Sequence, residues 1–303
     1  MVMNSTFIKI TETPRDAQQG LHYVISPAKR AAFINSLIKV GYDVIDFGSF
    51  VSPAAVPQMA DQAEVLRLVD KAGKTPKLMA IVGNNRGGRD AVIQEKVDIL
   101  GFPYSMSGTF LKRNINSTTE KALETIDYLV DIANQADKEV RIFMSMAFGN
   151  PYGDKWDINE MKKHIARFID LGIKTITLSD TIGVATPESI SQIFETMIST
   201  WPDIEFGLHI HTQPNDWYEK IKAAWDAGCY SFDGVLNGIG GGPMTGYEMI
   251  GNLNTLNLLK FTQENNIPTK INEKALANAL LVASETYEIE FTEPLSNRPQ
   301  PLG

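Results

Sequence analysis

One cysteine, Cys229, stands in 303 residues. A disulfide scaffold is therefore excluded, and the composition fits a reducing compartment. Long apolar runs are missing too, since no stretch approaches the roughly 20 residues of a membrane span. The N-terminal MVMNSTFIKI lacks the apolar core of a signal peptide. Nor is there a surplus of positive charge: 28 Lys and Arg face 36 Asp and Glu, for a formal net charge of −8. That balance argues against nucleic acid and membrane surfaces as partners, because both are polyanions. The absences describe a cytoplasmic protein. Core material is plentiful, at 43% hydrophobic residues.

Short apolar runs alternate with amphipathic stretches along most of the chain. The runs lie at 7–13, 44–50, 77–83, 97–105, 140–148, 175–181, 205–212 and 232–241. Each is rich in β-branched or aromatic residues and short enough for a buried strand. Between them stand helical patterns such as PAKRAAFINSLIKVG, TTEKALETIDYLVDIANQAD and DINEMKKHIARFIDLG. Eight strand–helix units in succession predict an α/β fold, a (β/α)8 TIM barrel with extra C-terminal helical structure. An open doubly wound sheet usually carries a glycine-rich phosphate turn after its first strand, and TPRDAQQG is not one. Residues 1–286 read as the barrel domain and 287–303 as a polar, proline-bearing tail.

In such a barrel the chemistry gathers where the strands end. Arg15 and Asp16 follow the first run, while Asp46 and Ser49 close the second. Asn84, Asn85 and Arg86 follow the third, and the fifth carries Ser145. The sixth ends Ser179, Asp180, Thr181, and the seventh ends in His209 and His211, two of only four histidines. Their i, i+2 spacing puts both imidazoles on one face of a strand, and the apolar Leu208 and Ile210 assign that face to the barrel interior. Two converging imidazoles suit a divalent cation, or form a hydrogen-bonded pair in the core. Asp16 is a carboxylate at the same mouth. His22 and His164 read as surface residues, NNRGGR (84–89) as a basic loop, and Cys229 as a small buried core residue.

TPRDAQQG, SFVSPAAVPQMAD, SDTIGVATPE, HIHT and GIGGGP…GN occur in this order. Over about positions 8 to 260 the chain resembles the 3-hydroxy-3-methylglutaryl-CoA lyases of the DRE-TIM metallolyase superfamily. KRNIN (112–116) matches that pattern as well, which would bring Lys112 and Arg113 near the mouth. The resemblance implies a TIM barrel that binds Mg²⁺ or Mn²⁺, with Zn²⁺ also compatible. It carries the metal ligands to Asp16, His209, His211 and the amide oxygen of Asn252. Catalytic roles fall on Arg15, Asp16 and Asp46, and substrate contacts on Gln19, Ser49 and Thr181. The implied reaction is cleavage of 3-hydroxy-3-methylglutaryl-CoA, or a related 3-hydroxyacyl-CoA, to acetyl-CoA and a keto acid. An acyl-CoA is thus the expected partner, and a homo-oligomer the expected assembly.

Two departures stand against that pattern. The lyase loop GxGGCP carries a cysteine where this chain has Gly242, and Tyr247 and Glu248 follow as other possible donors. Asp46 replaces a glutamate, which shortens the side chain by one methylene. Two other functions share the metal set: a Claisen-type acyltransferase of the isopropylmalate or homocitrate synthase kind, and a catalytically weak metal-binding barrel. SFVSPAAVPQMAD favours the lyase.

Overall fold

The architecture, seen in a computed structural model that describes residues 7–73, 75–241 and 250–288, follows from the alternation of strand and helix signals. The strands are β1 (Lys9–Glu12), β2 (Val44–Ser49), β3 (Lys77–Ile81), β4 (Ile99–Ser105), β5 (Glu139–Ser145), β6 (Thr175–Asp180), β7 (Glu205–Ile210) and β8 (Ser231–Gly234). All neighbours pair in parallel, and β1 pairs with β8, so the sheet closes in the order β1 to β8. The predicted barrel is the one observed.

Eleven helices accompany the strands among the described residues: α1 (Pro14–Gln19), α2 (Pro27–Ile38), α3 (Gln62–Leu68), α4 (Asn85–Val92), α5 (Gly108–Ile115), α6 (Thr119–Gln135), α7 (Ile158–Asp170), α8 (Pro187–Thr200), α9 (Trp217–Asp226), α10 (Thr255–Glu264) and α11 (Glu273–Tyr287). Their starts are written in the sequence. Ser26, Thr118 and Asp157 each accept a hydrogen bond from a first-turn N–H of α2, α6 and α7. Thr186 and Ser189 form a reciprocal capping box on α8, with Pro187 at the first helical position. Among the described residues no helix is long and apolar enough to cross a membrane.

Pro14 turns the chain after β1 into the short helix α1, which carries Arg15 and Asp16 across the mouth. Two local expectations differ from the structure. NNRGGR is not a loop, because the Asn84 side chain accepts from Gly87 N–H at 2.9 Å and starts α4. His164 is half-buried rather than on the surface, with Nδ1 3.1 Å from the Tyr104 hydroxyl. The extra C-terminal helix is present as α11, packed against α2 with Tyr287 edge-on to Phe33. Positions 289–303 of the expected tail lie outside the described residues.

Strand alternation splits the side chains between two cores. Outward residues such as Ile45, Leu78, Phe102, Ile176, Leu208 and Phe232 are fully buried against the helices. The barrel interior is itself divided. Met79, Ile81, Ile99 and Phe143 form an apolar cluster on the β3 to β5 side. Opposite, the interior is polar and centred on Arg141, which is 3% exposed. Its guanidinium donates to Thr177 Oγ1 at 2.7 Å, Thr11 Oγ1 at 2.9 Å and Asp233 Oδ1 at 2.7 Å. Gly207 leaves it room, since a Cβ there would come within 3.3 Å of the guanidinium.

Removing one partner of a buried ion pair strands the other charge, at a cost of about 3–5 kcal/mol. Arg141→Leu should therefore lower stability by roughly that amount. Urea denaturation followed by circular dichroism checks this, and an unchanged midpoint would show that the pair contributes little.

Candidate active site

The mouth of the barrel is built around an arginine that its surroundings hold still. Arg15 is 8% exposed on α1. Its Nη1 donates to Asp16 Oδ1 at 2.8 Å, while Nε and Nη2 both donate to Asp46 Oδ2 at 3.0 and 2.6 Å. Burial alone would weaken the guanidinium as a base, but Asp46 and Asp16 outweigh it and hold the charge. Five N–H groups are present in a guanidinium, so these contacts leave donors for a ligand. Gln19, one turn further along α1, donates to the same Asp16 oxygen.

Beside Asp16 stand the two histidines. Asp16, His209 and His211 each offer a ligand atom, and these atoms lie within 4.8 Å of one another. The other ring nitrogen of each imidazole is turned to an oxygen. His211 Nδ1 lies 2.9 Å from the Ile250 carbonyl oxygen and donates to it. His209 Nδ1 faces Asp233 Oδ2 at 3.4 Å, and Asp233 is in turn held by Arg141. Both Nε2 lone pairs are thereby turned toward the mouth, the arrangement seen in metal-binding histidines whose second nitrogen is fixed by an oxygen. Asn252 is brought alongside by a bridge to His211, and its Nδ2 donates to the Ile239 carbonyl at 2.9 Å. That choice turns Oδ1 the other way.

Several buried oxygens have no hydrogen-bond partner among the described residues. Asp16 Oδ2 and Asn252 Oδ1 are two of them. A buried acceptor left unpaired is costly, and a cation between these oxygens and the two imidazoles would satisfy both. The residues present therefore fit a divalent metal.

Electrostatics separates the titratable groups. Burial pushes the Asp16 carboxyl up, but Arg15 and both histidines hold it below the usual range. Asp46 goes the other way, pushed up to about 6 by burial in spite of Arg15. Burial and the neighbouring His209 push His211 down to about 4, which keeps it a neutral ligand. His209 rises despite its burial, because Asp233 and Asp16 favour the imidazolium. Asp233 itself is held low by Arg141 and His209 against the effect of burial.

An open cavity lies over this cluster. Arg15, Asp16, Gln19, Ser49, Thr181, His209 and His211 all line it, together with Ser145 and Ser179. Asp46 does not; it is 0% exposed behind Arg15, and it braces that side chain instead of facing a ligand. Lys112 and Arg113 fall on the exposed last turn of α5, with Arg113 over the Tyr152 ring at 4.8 Å. Asn84 to Arg86 point their chemistry into α4. Gly242, Tyr247 and Glu248 lie outside the described residues. Cys229 is buried in the core, as expected.

Sequence reasoning passed over Arg141, Asp233 and Glu12. The signal was available: each is a charged residue inside an otherwise apolar or β-branched strand, and a buried strand admits a charge only with a partner.

Residues 7–282 match the model of the HMGL-like family. The (R)-citramalyl-CoA lyase of Chloroflexus aurantiacus is 28% identical over 93% of this chain and 90% of its own. The mitochondrial hydroxymethylglutaryl-CoA lyase of Macaca fascicularis is 31% identical over 90% of this chain and 83% of its own. Among solved structures, an HMG-CoA lyase from Acinetobacter baumannii, in complex with coenzyme A and 3-methylmalate, superposes with a TM-score of 0.89. It is 27% identical and covers 99% of this chain and all of its own. With the barrel, the arginine-centred mouth and a family match over nearly its whole length, the chain belongs to the HMGL-like family and is a lyase of the hydroxymethylglutaryl-CoA lyase kind.

Proposed function

We propose that the protein is a divalent-metal-dependent lyase that cleaves 3-hydroxy-3-methylglutaryl-CoA, or a related 3-hydroxyacyl-CoA, to acetyl-CoA and a keto acid. The observation that carries this reading is the convergence of Asp16, His209 and His211 directly beside Arg15, with Asn252 bridged to His211. Mg²⁺ and Mn²⁺ suit one carboxylate, one amide oxygen and two imidazoles, with the rest of the shell open; Zn²⁺ is also compatible. When bound, the cation supplies positive charge next to the C3 oxygen and makes its proton easier to lose.

The chain's own residues divide the remaining work. As the C2–C3 bond breaks, the C3 hydroxyl gives its proton to the Asp16 carboxylate at the mouth and becomes the ketone of the product. The bonding electrons move to the thioester, whose C2 then takes up a proton to give acetyl-CoA. Arg15 has free N–H donors and a charge fixed by Asp46 and Asp16, so it meets the negative charge that grows on the thioester oxygen. Position 242 is glycine and brings no thiol to the loop after β8, so the proton for C2 comes from another group or from water. Ser179 Oγ and Thr181 Oγ1 are buried at the cavity wall without partners among the described residues. Two such donors suit a carboxylate on the acyl group, and the relative that holds 3-methylmalate, a dicarboxylic hydroxy acid, agrees with this.

The citramalyl-CoA lyase relative widens the acyl range worth testing. The direct experiment incubates purified protein and Mg²⁺ or Mn²⁺ with a panel of 3-hydroxyacyl-CoAs and follows acetyl-CoA release. Absence of release from every member would leave a metal-binding barrel. Release from a synthase's acyl-CoA only when a keto acid is added would favour an acyltransferase.

Arg15→Met should lower kcat by about 10²–10³ with little change in KM, because the charge it meets exists only as the bond breaks. Steady-state kinetics on folded protein decides the point; a variant that kept kcat and lost affinity would make Arg15 a substrate-binding group. His211→Ala removes one ligand from a barrel whose strands stay paired. Metal content by elemental analysis should fall while the circular dichroism spectrum stays native, and full occupancy would refute the ligand assignment.

A further inference from the structure

Glu12 is a buried acid for which the lyase chemistry has no use. It is the last residue of β1 and 1% exposed. Its neighbour Thr11 points into the barrel to meet Arg141, so Glu12 points outward, beneath the helices. The carboxyl receives hydrogen bonds from two separate places. Leu236 N–H donates to Oε1 at 2.7 Å, and the Thr255 hydroxyl donates to Oε2 at 2.6 Å. The fully buried Tyr42 hydroxyl faces the same group.

Those two donors sit at opposite ends of one segment. The chain leaves β8, passes Leu236, runs through the glycine-rich stretch to Asn252, and enters α10 at Thr255. Gly234 permits the closure, since a Cβ there would stand 2.6 Å from the Thr255 hydroxyl oxygen. Its described residues Ile239 and Gly240 lie directly on Asp16 and Asn252. A Cβ on Gly240, at φ +93°, would come 2.7 Å from the Asp16 carbonyl oxygen and 3.1 Å from Asn252 Nδ2. The Asn252 amide is oriented by Ile239 of the same segment.

On the metal-site reading given above, we propose that Glu12 is a positioning residue for the ligand set: it fastens both ends of the segment from Leu236 to Thr255 to the strand that runs into Arg15 and Asp16. The separation of Asn252 Oδ1 from Asp16 is then set through Glu12, although Glu12 touches neither. Strand β1 delivers the carboxylate ligand by chain continuity and the amide ligand by this clasp. Burial pushes the Glu12 carboxyl up to about 8, against the Thr255 and Leu236 hydrogen bonds. The Thr255 hydroxyl can accept as well as donate, so glutamine keeps both contacts, its Oε1 accepting from Leu236 N–H and its Nε2 donating to Thr255 Oγ1.

The test compares Mn²⁺ affinity, by electron paramagnetic resonance on metal-stripped protein, with the thermal midpoint of each variant. Glu12→Ala should weaken Mn²⁺ binding by about tenfold or more, the usual effect of losing an outer partner of a metal site. Glu12→Gln should stay within about twofold of wild type, because it keeps both contacts. Thr255→Val releases one end alone and should weaken Mn²⁺ binding by less than Glu12→Ala. A role confined to stability would lower the midpoints of Glu12→Ala and Thr255→Val and leave their Mn²⁺ affinities at the wild-type value, and that result overturns the proposal. Should Glu12→Ala fail to fold, Thr255→Val against wild type decides it. Wild-type protein that binds no Mn²⁺ would overturn the metal-site reading and this inference together; wild-type binding that the two variants leave unchanged would overturn the inference alone.

Discussion

The ion pair between Arg141 and Asp233 is the constraint on which the mouth depends. A guanidinium and a carboxylate are both nearly inaccessible inside the barrel, at 3% and 2% exposure. Neither could be there without the other, because an isolated charge in such surroundings is prohibitively expensive. Their mutual placement has a consequence above them. Asp233 reaches His209 with its second oxygen, fixes which imidazole nitrogen faces the mouth, and favours charge on the ring. The position of a ligand at the top of β7 is thus set by a pair drawn from β5 and β8.

A second feature is the division of the barrel interior into an apolar and a polar half. Met79, Ile81, Ile99 and Phe143 fill one side, and the Phe143 ring meets the Arg141 guanidinium at 5.1 Å where the two halves join. The polar side runs from Arg141 upward through Asp233 and His209 to Asp16 and Arg15. Carboxylates and cations alternate along it, so each charge has an opposite neighbour. The same division continues into the cavity, where Val51, Val56 and Phe110 form one wall and the hydroxyls of Ser145, Ser179 and Thr181 another. A ligand lying across the mouth meets an apolar surface on one flank and hydrogen-bond donors on the other.

Asp46 illustrates how one residue's role changes with its surroundings. From the sequence, a catalytic role for it is what the resemblance to the lyases implies. In the structure its Oδ2 takes two bonds from Arg15 and it has no surface on the cavity. It fixes the orientation of Arg15 and balances its charge.

Local patterns in the sequence determined a good deal about this protein. Eight β-rich runs separated by capped helices specify the closed parallel barrel, and HIHT between Leu208 and a polar turn specifies two imidazoles facing inward, because side chains alternate along any strand. Prolines and cap residues at Ser26, Thr118, Asp157 and Thr186 specify where helices begin. What only the tertiary structure decided involves residues far apart in the chain. Asn252 stands at the ligand cluster because the segment after β8 folds back on α1, Asp46 stands behind Arg15 because Pro14 turns that helix over β2, and Arg141 meets Asp233 across the barrel axis. Separations of 31 and 92 residues leave no periodic trace in a sequence. Hydrophobic periodicity reports which face a residue occupies, whereas the pairing of buried polar groups is fixed only when the barrel closes and every desolvated charge has to find its partner.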